Sequence, residues 1–171
     1  RSRSVLSLVE RLVRFIYRHS DRILIQSQAF RERIEQLEGA AKKIVYLPNS
    51  AEAFYRPIEL EPDAPERRLM PEGFRVVFAG NIGAAQGFET IIDAATLLRD
   101  RSEIQWIVLG DGRMREWAAS EVEARGLQGN VHFLGRFAPE TMPRFFALAD
   151  VLLVTLRRDP IFALTVPGKL Q

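Results

Sequence analysis

Apolar runs alternate with amphipathic stretches over residues 73–171. The apolar runs predict four strands, at residues 75–79, 105–109, 131–134 and 151–156. Apolar positions three and four apart predict the helices between them, at residues 89–98, 114–124 and 139–147. Strands that alternate with helices indicate βαβ units with right-handed crossovers. The pattern therefore predicts an α/β fold, with a parallel sheet and flanking helices.

The first 50 residues show the same alternation on a smaller scale. Helical periodicity over residues 4–19 and 28–38 is followed each time by a short apolar run, at residues 22–26 and 43–47. Two strands cannot form a sheet that is covered on both faces. We therefore predict that residues 1–50 are the tail of another α/β domain.

The helix predicted over residues 4–19 has an apolar stripe with arginines beside it. The stripe consists of Val5, Leu8, Val9, Leu12, Val13 and Ile16, and the arginines are Arg11, Arg14 and Arg18. A basic amphipathic helix can dock on a membrane surface. We favour the alternative, in which the stripe packs in a core and the arginines lie in water.

Residues 51–72 have the composition of a linker. They contain several acidic residues and four prolines, Pro57, Pro62, Pro65 and Pro71. We expect an incomplete domain after this linker, over residues 73–171. The chain starts without Met and stops inside what we interpret as a continuing element. We therefore expect an excised fragment of a longer protein.

Composition limits the function further. The hydrophobic fraction of 47% and the charged fraction of 27% are typical of a globular protein, and a net charge of +2 does not indicate a nucleic-acid partner. The absence of cysteine and the presence of only two histidines argue against a metal site. No run approaches the ~20 apolar residues of a membrane span. We expect a cytoplasmic protein, with the inner face of the cell membrane as the alternative location.

Three of the four predicted strands end in a glycine followed by a polar residue. The pairs are Gly80-Asn81, Gly110-Asp111 and Gly135-Arg136. The carboxyl ends of parallel strands meet at one edge of the sheet, where ligands bind. Glycine there lets the main chain approach a ligand closely. The pattern predicts a ligand edge, and turn chemistry alone is the alternative.

The loop after the first of these strands has the spacing G-x-x-G-x-x-x-G, at Gly80, Gly83 and Gly87. This spacing is not the dinucleotide-binding fingerprint. A strand, a glycine-rich turn and a helix nevertheless form the layout that brings backbone amides to a phosphate. A plain turn between strand and helix explains the same spacing.

Charged residues beside the strand ends have two interpretations each. Asp111 suits a ribose hydroxyl, the amides of its own loop or the cap of the next helix, and we favour the cap. Arg113 and Arg136 suit a phosphate or a surface ion pair. Arg157 and Arg158, after the fourth strand, suit an anion or simply face solvent.

The segment Val166-Pro167-Gly168-Lys169 predicts the start of another helix, because proline suits the first helical turn. A lysine in that turn opposes the helix dipole unless an anion is present. Lys169 therefore indicates a phosphate partner, with a frayed chain end as the alternative.

Five segments, taken in order, resemble the family 4 retaining glycosyltransferases of GT-B fold. They are residues 78–88, 107–112, 130–136, 149–154 and 166–170. Their order and spacing carry the resemblance, which is greatest to the branch that acts in O-antigen, capsule and colanic-acid assembly, including fucosamine-transferase-like proteins. It implies an incomplete, Rossmann-like C-terminal GT-B domain over residues 73–171. Residues 1–50 would then be the tail of the N-terminal, acceptor-side domain.

The resemblance implies that the C-terminal domain holds a nucleotide-sugar donor, with a UDP-sugar favoured. The loop over residues 80–87 would lie against the diphosphate, and the main chain near Arg136 would read the base. The implied donor-binding residues are Gly80, Asn81, Gly83, Gln86, Gly110, Asp111, Gly112, Arg136, Pro167, Gly168 and Lys169. No cofactor or metal is implied. The catalytic residues are unknown and are expected in a preceding N-terminal part.

Four positions depart from the family pattern. Many members have Arg after the first glycine of the loop and Lys before the later one, where this chain has Asn81 and Gln86. Ile161 and Lys169 align with the two glutamates of the family's E-x7-E motif. We hypothesise that Lys169 restores positive charge to the phosphate site.

The resemblance implies transfer of a sugar from a nucleotide-sugar to a lipid-linked saccharide acceptor in surface polysaccharide synthesis, with retention at the anomeric carbon. We expect the fragment alone to be inactive. A GT-B-fold nucleotide-sugar epimerase and a non-catalytic nucleotide-binding module are the alternatives. In the family's usual 3-2-1-4-5-6 strand order, residues 151–156 would form an open edge, and we expect self-association through it.

Overall fold

A computed structural model describes residues 3–37 and 39–168 of the chain. The chain divides into two compact units, and each is described by itself. The first contains the described parts of Arg1–Ala51 and Arg158–Gln171, and the second is Glu52–Arg157.

The first unit is built on a two-stranded parallel sheet. Its elements, in chain order, are α1 (Arg3–His19), β1 (Ile23–Ile25), α2 (Arg31–Glu35) and β2 (Ile44–Tyr46). Its small core consists of Ile23, Ile25 and Ala40, with Tyr17 of α1 packed against them. The helix, strand, helix, strand order predicted for this part of the chain is present, although a short 3₁₀ turn begins the second helix.

The apolar stripe of α1 is exposed, so the core packing that we favoured for it is wrong for this chain. Val13 is half-buried. The other five residues of the stripe have 47 to 67% of their surface exposed: Val5, Leu8, Val9, Leu12 and Ile16. Two strands of 3 residues each offer too little surface to cover a helix of 17 residues. Within residues 3–37 and 39–168, no helix has the length and apolar character needed to cross a bilayer.

The second unit contains a four-stranded sheet in which every pairing is parallel. The strand order is β5-β4-β3-β6, which confirms the predicted α/β fold. The elements of this unit are α3 (Pro65–Leu69), β3 (Phe74–Ala79), α4 (Phe88–Leu97), β4 (Ile104–Leu109), α5 (Arg115–Ala124), β5 (Val131–Gly135), α6 (Met142–Phe146) and β6 (Val151–Leu153).

Side chains of the two central strands alternate between two apolar cores. Phe78 and Val108 pack with residues of α4 and α5 on one face, where the rings of Phe78 and Phe88 are 4.8 Å apart. Val77 and Ile107 are fully buried on the opposite face, where α6 contributes Phe145. Because both faces are covered, the central strands are apolar except at Arg75 and Gln105, as is usual for a parallel sheet. The register of this sheet brings the ends of β3, β4 and β5 to one edge.

The boundaries of the observed units differ from the predicted domain boundaries at two places. Part of residues 51–72 is packed into the second unit, with Met70 and Ala64 almost fully buried. Glu66 of α3 is also buried, and one of its carboxylate oxygens accepts a hydrogen bond of 2.8 Å from Arg144 Nε. At the other end, residues 158–168 group with the first unit, where Asn49 Nδ2 donates to the carbonyl of Val166 at 3.5 Å.

The hydrogen bond from Arg144 lowers the pKa of Glu66, against the opposing effect of burial. Glu66 therefore stabilises the folded unit as a carboxylate above its usual pKa, and this contribution is lost as the pH falls. The proline-rich composition of residues 51–72 predicted a linker. Composition carries no information on an ion pair such as that between Glu66 and Arg144, which are 78 residues apart.

β6 lies at one edge of the four-stranded sheet and pairs with β3. It is shorter than the predicted strand over residues 151–156, and Val151 and Leu152 are exposed. The open edge is therefore where the sequence predicted it. Self-association through this edge stays a prediction.

Candidate functional site

The candidate site is the edge of the second unit where β3, β4 and β5 end. Main-chain hydrogen bonds continue past the strands and join the three exits. Gly80 N donates to Leu109 O at 2.8 Å, and Gly110 N donates to Gly135 O at 2.7 Å. One step further, Ile82 N donates to Asp111 O at 2.8 Å. The glycines at the predicted ligand edge are thus held in one continuous layer of main chain.

This layer depends on the absence of side chains at Gly110 and Gly112. Gly110 has φ +146°, and a Cβ placed on it would overlap the carbonyl oxygen of Gly80. A Cβ on Gly112 would overlap the carbonyl oxygen of Ile82 and come within 2.7 Å of Asn81 Oδ1. Glycine is therefore required at both positions, because the backbone of this segment is in contact with the backbone of residues 80–82.

The loop between β3 and α4 is closed by a pair of neutral side chains. Asn81 Nδ2 donates to Gln86 Oε1 at 3.4 Å, and Gly83 leaves the space in which they meet. A Cβ on Gly83 would come within 2.9 Å of Gln86 Oε1. Two of the four positions that depart from the family pattern, Asn81 and Gln86, therefore interact with each other.

The segment after β6 holds this loop from its other side. Thr155 Oγ1 donates to Gln86 O at 2.7 Å, and Arg157 N donates to Ala85 O at 2.8 Å. The loop then turns into α4 at Gly87, which has φ +61°. Sequence reasoning missed Thr155, and the only available signal was its place directly after an apolar run.

The alternative roles considered for the charged residues were a helix cap for Asp111 and surface ion pairs for Arg113 and Arg136. Asp111 Oδ1 accepts a hydrogen bond of 2.8 Å from Gly112 N and does not cap α5, whose N-cap is Met114. The cap interpretation of Asp111 is therefore wrong. Arg113 and Arg136 are exposed, and neither has an ion pair within the described residues.

The structure brings together most, but not all, of the predicted donor-binding residues. Those at the edge of the second unit are Gly80, Asn81, Gly83, Gln86, Gly110, Asp111, Gly112 and Arg136. Pro167 and Gly168 belong to the first unit, and residues 165–167 have no regular secondary structure. Lys169 lies outside the described residues, so its role stays a prediction.

The histidine of this unit is remote from the edge. His132 is the second residue of β5, far from the carboxyl end of that strand, and its Nε2 lies 2.6 Å from Gln105 Oε1. Burial lowers the pKa of His132.

Among the residues that the structure describes, no group of three or more His, Asp or Glu side chains is placed to hold a metal ion.

Comparison with protein families assigns this chain to a family. Residues 61–166 match the family model described as glycosyl transferases group 1. The chain belongs to this family. The match covers all of the glycine-bearing strand ends and the loop between β3 and α4.

Curated relatives agree with this assignment. WcaI of Escherichia coli (strain K12), named as a colanic acid biosynthesis glycosyl transferase, is 30% identical over 77% of this chain and 32% of its own length. WbjE of Pseudomonas aeruginosa, named as a glycosyltransferase, is 30% identical over 95% of this chain and 40% of its own length. The chain thus spans 32 to 40% of the length of these relatives.

Solved structures share the fold. A crystal structure of Anabaena Alr3699/HepE in complex with UDP and glucose matches with a TM-score of 0.66 at 21% identity, over 82% of this chain and 39% of that one. WaaG, described as a glycosyltransferase involved in lipopolysaccharide biosynthesis, matches with a TM-score of 0.63 at 20% identity, over 80% of this chain and 38% of that one. The resemblance to glycosyltransferases of GT-B fold is confirmed, whereas family 4, the retaining mechanism and the fucosamine-transferase branch stay predictions.

We predict that Gly110→Ala is strongly destabilising, by about 3 kcal/mol or more, because the methyl group meets the Gly80 carbonyl and φ is positive. Gly129→Ala is the matched control, since its Cβ would enter open space, and it should change stability by less than ~1 kcal/mol. Thermal or urea unfolding measures both. Equal stabilities of the two variants would contradict the close approach of β3 and β4 at this edge.

Proposed function

We propose that the full-length polypeptide containing these residues is a glycosyltransferase that uses a nucleotide-sugar donor, with a UDP-sugar favoured. The observation that carries this proposal is the layer of glycine main chain at the carboxyl edge of the sheet, in a chain of the group 1 family. Glycine at these strand ends lets a ligand approach the main chain closely. HepE, which has the same fold, is described in complex with UDP-glucose.

The donor would be held by the main chain of the loop and by polar side chains around it. The Asn81 and Gln86 amides would face the diphosphate without supplying charge. Arg136, exposed and without an ion pair in the described ranges, would lie near the base and contribute positive charge. Pro167, Gly168 and Lys169 would complete the site as the resemblance implies, and Lys169 would add a second charge.

The acceptor that we propose is a lipid-linked saccharide, used in surface polysaccharide synthesis such as O-antigen assembly, and the transfer would retain the anomeric configuration. The relatives support this class of pathway, because WcaI is named for colanic acid biosynthesis and WaaG is described for lipopolysaccharide biosynthesis. The epimerase and the non-catalytic module are not favoured, since the family model and both curated relatives carry glycosyltransferase names.

We further propose that the protein works in the cytoplasm at the inner face of the membrane, in peripheral contact through α1. The exposed apolar stripe of this helix lies beside Arg11, Arg14 and Arg18, and Glu10 is its one acidic residue. On an anionic bilayer, the apolar side chains would be buried among the lipids and the flanking arginines would be attracted to the negative headgroups.

The donor is tested by calorimetric titration of the full-length polypeptide with UDP, GDP and ADP, followed by transfer assays with a lipid-linked acceptor. We expect UDP to bind most tightly and NMR of the product to show the anomeric configuration of the donor sugar. Lys169→Ala should weaken UDP binding by about tenfold, which corresponds to ~1.4 kcal/mol. Absence of any nucleoside diphosphate binding would contradict the proposed function, and unchanged affinity of Lys169→Ala would remove Lys169 from the site.

Membrane contact is tested by cosedimentation of the full-length polypeptide with anionic vesicles. We predict that Leu12→Glu reduces the bound fraction several-fold, because it places a charge in the apolar stripe. Leu97→Glu is the matched control, since Leu97 is 86% exposed at the end of α4 in the other unit. Equal binding of wild type and both variants would contradict the proposed contact.

A further inference from the structure

The loop that would meet a diphosphate has no charge of its own. Residues 80–87 contain glycine, alanine, isoleucine, asparagine and glutamine only. A nucleoside diphosphate brings negative charge to this place, and backbone amides can donate hydrogen bonds to it but do not neutralise it, as an arginine or lysine does. A cation must therefore come from a neighbouring segment.

Arg157 follows β6 and is bound to this loop by its backbone. Its N–H donates to the carbonyl of Ala85 at 2.8 Å, and two residues earlier Thr155 Oγ1 donates to the carbonyl of Gln86 at 2.7 Å. These two hydrogen bonds fix the position of the segment after β6 relative to the loop. The α-carbon of Arg157 is thereby held beside the phosphate-facing turn, although about 70 residues separate them in the sequence.

The side chain of Arg157 leaves this backbone toward Gly87. Arg157 Cγ lies 3.5 Å from the place that a Cβ on Gly87 would occupy. Gly87 has φ +61° and is the residue where the loop becomes α4. The side chain of Arg157 thus passes the turn of the loop, and a larger residue at position 87 would compete with it for space.

The guanidinium of Arg157 is not used by the fold. Arg157 is exposed, and no ion pair involving it occurs within residues 3–37 and 39–168. Asp159, the nearest acidic residue in the sequence, instead accepts a hydrogen bond of 2.9 Å from Ile161 N. By contrast, Arg125 and Arg144 of the same unit are each paired with two carboxylates.

We propose that Arg157 is a donor-binding residue, whose guanidinium binds the diphosphate of the nucleotide-sugar at the loop over residues 80–87. This inference rests on the proposed function and adds a residue to its site. Guanidinium groups bind phosphate oxygens in pairs, with better geometry than lysine provides. The segment after β6 would then have two roles, since its backbone shapes the loop and its side chain supplies the charge that the loop lacks.

The test compares Arg157→Ala, Arg157→Lys and Arg99→Ala in the full-length polypeptide, by titration with uridine, UMP and UDP. Arg157→Ala keeps the N–H that binds Ala85, so the loop itself should be preserved. Arg99 is the matched control, because it is an exposed arginine just beyond the opposite end of α4. Thermal unfolding of each variant measures its folding independently of the ligand.

We expect Arg157→Ala to weaken UDP binding about tenfold, or ~1.4 kcal/mol, and uridine binding by less than about twofold. Arg157→Lys should fall between wild type and Arg157→Ala, and Arg99→Ala should match wild type for all three ligands. An unchanged affinity of Arg157→Ala for UDP would overturn the inference, as would an equal loss for uridine and UDP. If wild type binds no nucleoside diphosphate, the proposed function fails and this inference fails with it.

Discussion

The contact between the main chains of Gly80–Ile82 and Gly110–Gly112 is the constraint on which the candidate site depends. Two strand exits can approach this closely only if neither carries a side chain at the point of contact, and Gly110 and Gly112 meet that condition. The approach lets Ile82 N and Met114 N find carbonyl partners outside any regular strand. The same bonds fix where the loop after β3 begins and where α5 begins. An edge at which Gly80, Gly110 and Gly112 present only main chain is a consequence of this packing.

Two further contacts turn the edge into a specific shape. The Asn81–Gln86 amide pair closes the loop over Gly83, and the segment after β6 holds the far side of the loop through Thr155 and Arg157. The loop is therefore set by hydrogen bonds from side chains and backbones on both sides, and it carries no charge. In the proposed site, positive charge would come from residues of other segments, such as Arg136 and Arg157. The electrostatic and the geometric parts of that site would then come from different segments.

The strands and the parallel sheet could be predicted from the sequence, because apolar runs and helical periodicity are local signals. The edge position of β6 followed from the strand order that the family resemblance implies. The exposure of α1 could not be predicted in this way, because an apolar stripe shows which face of a helix can be buried but not whether another element packs against it. Nor could the packing of Met70 and the pairing of Glu66 with Arg144, which depend on partners far along the chain. The contacts of Thr155 and Arg157 with the loop belong to the same class. The sequence placed Thr155 inside a predicted strand and Arg157 directly after it, and only the fold shows their hydrogen bonds to Gln86 and Ala85.

The central claim is that a nucleoside diphosphate binds at the carboxyl edge of the β5-β4-β3-β6 sheet. The most direct measurement is amide hydrogen exchange of the full-length polypeptide with and without UDP. The account predicts slower exchange at residues 80–87 and 110–113, with no change at Phe74 and Ile104, where the same strands begin. Protection confined to the opposite ends of the strands, or no protection in this sheet, would contradict it.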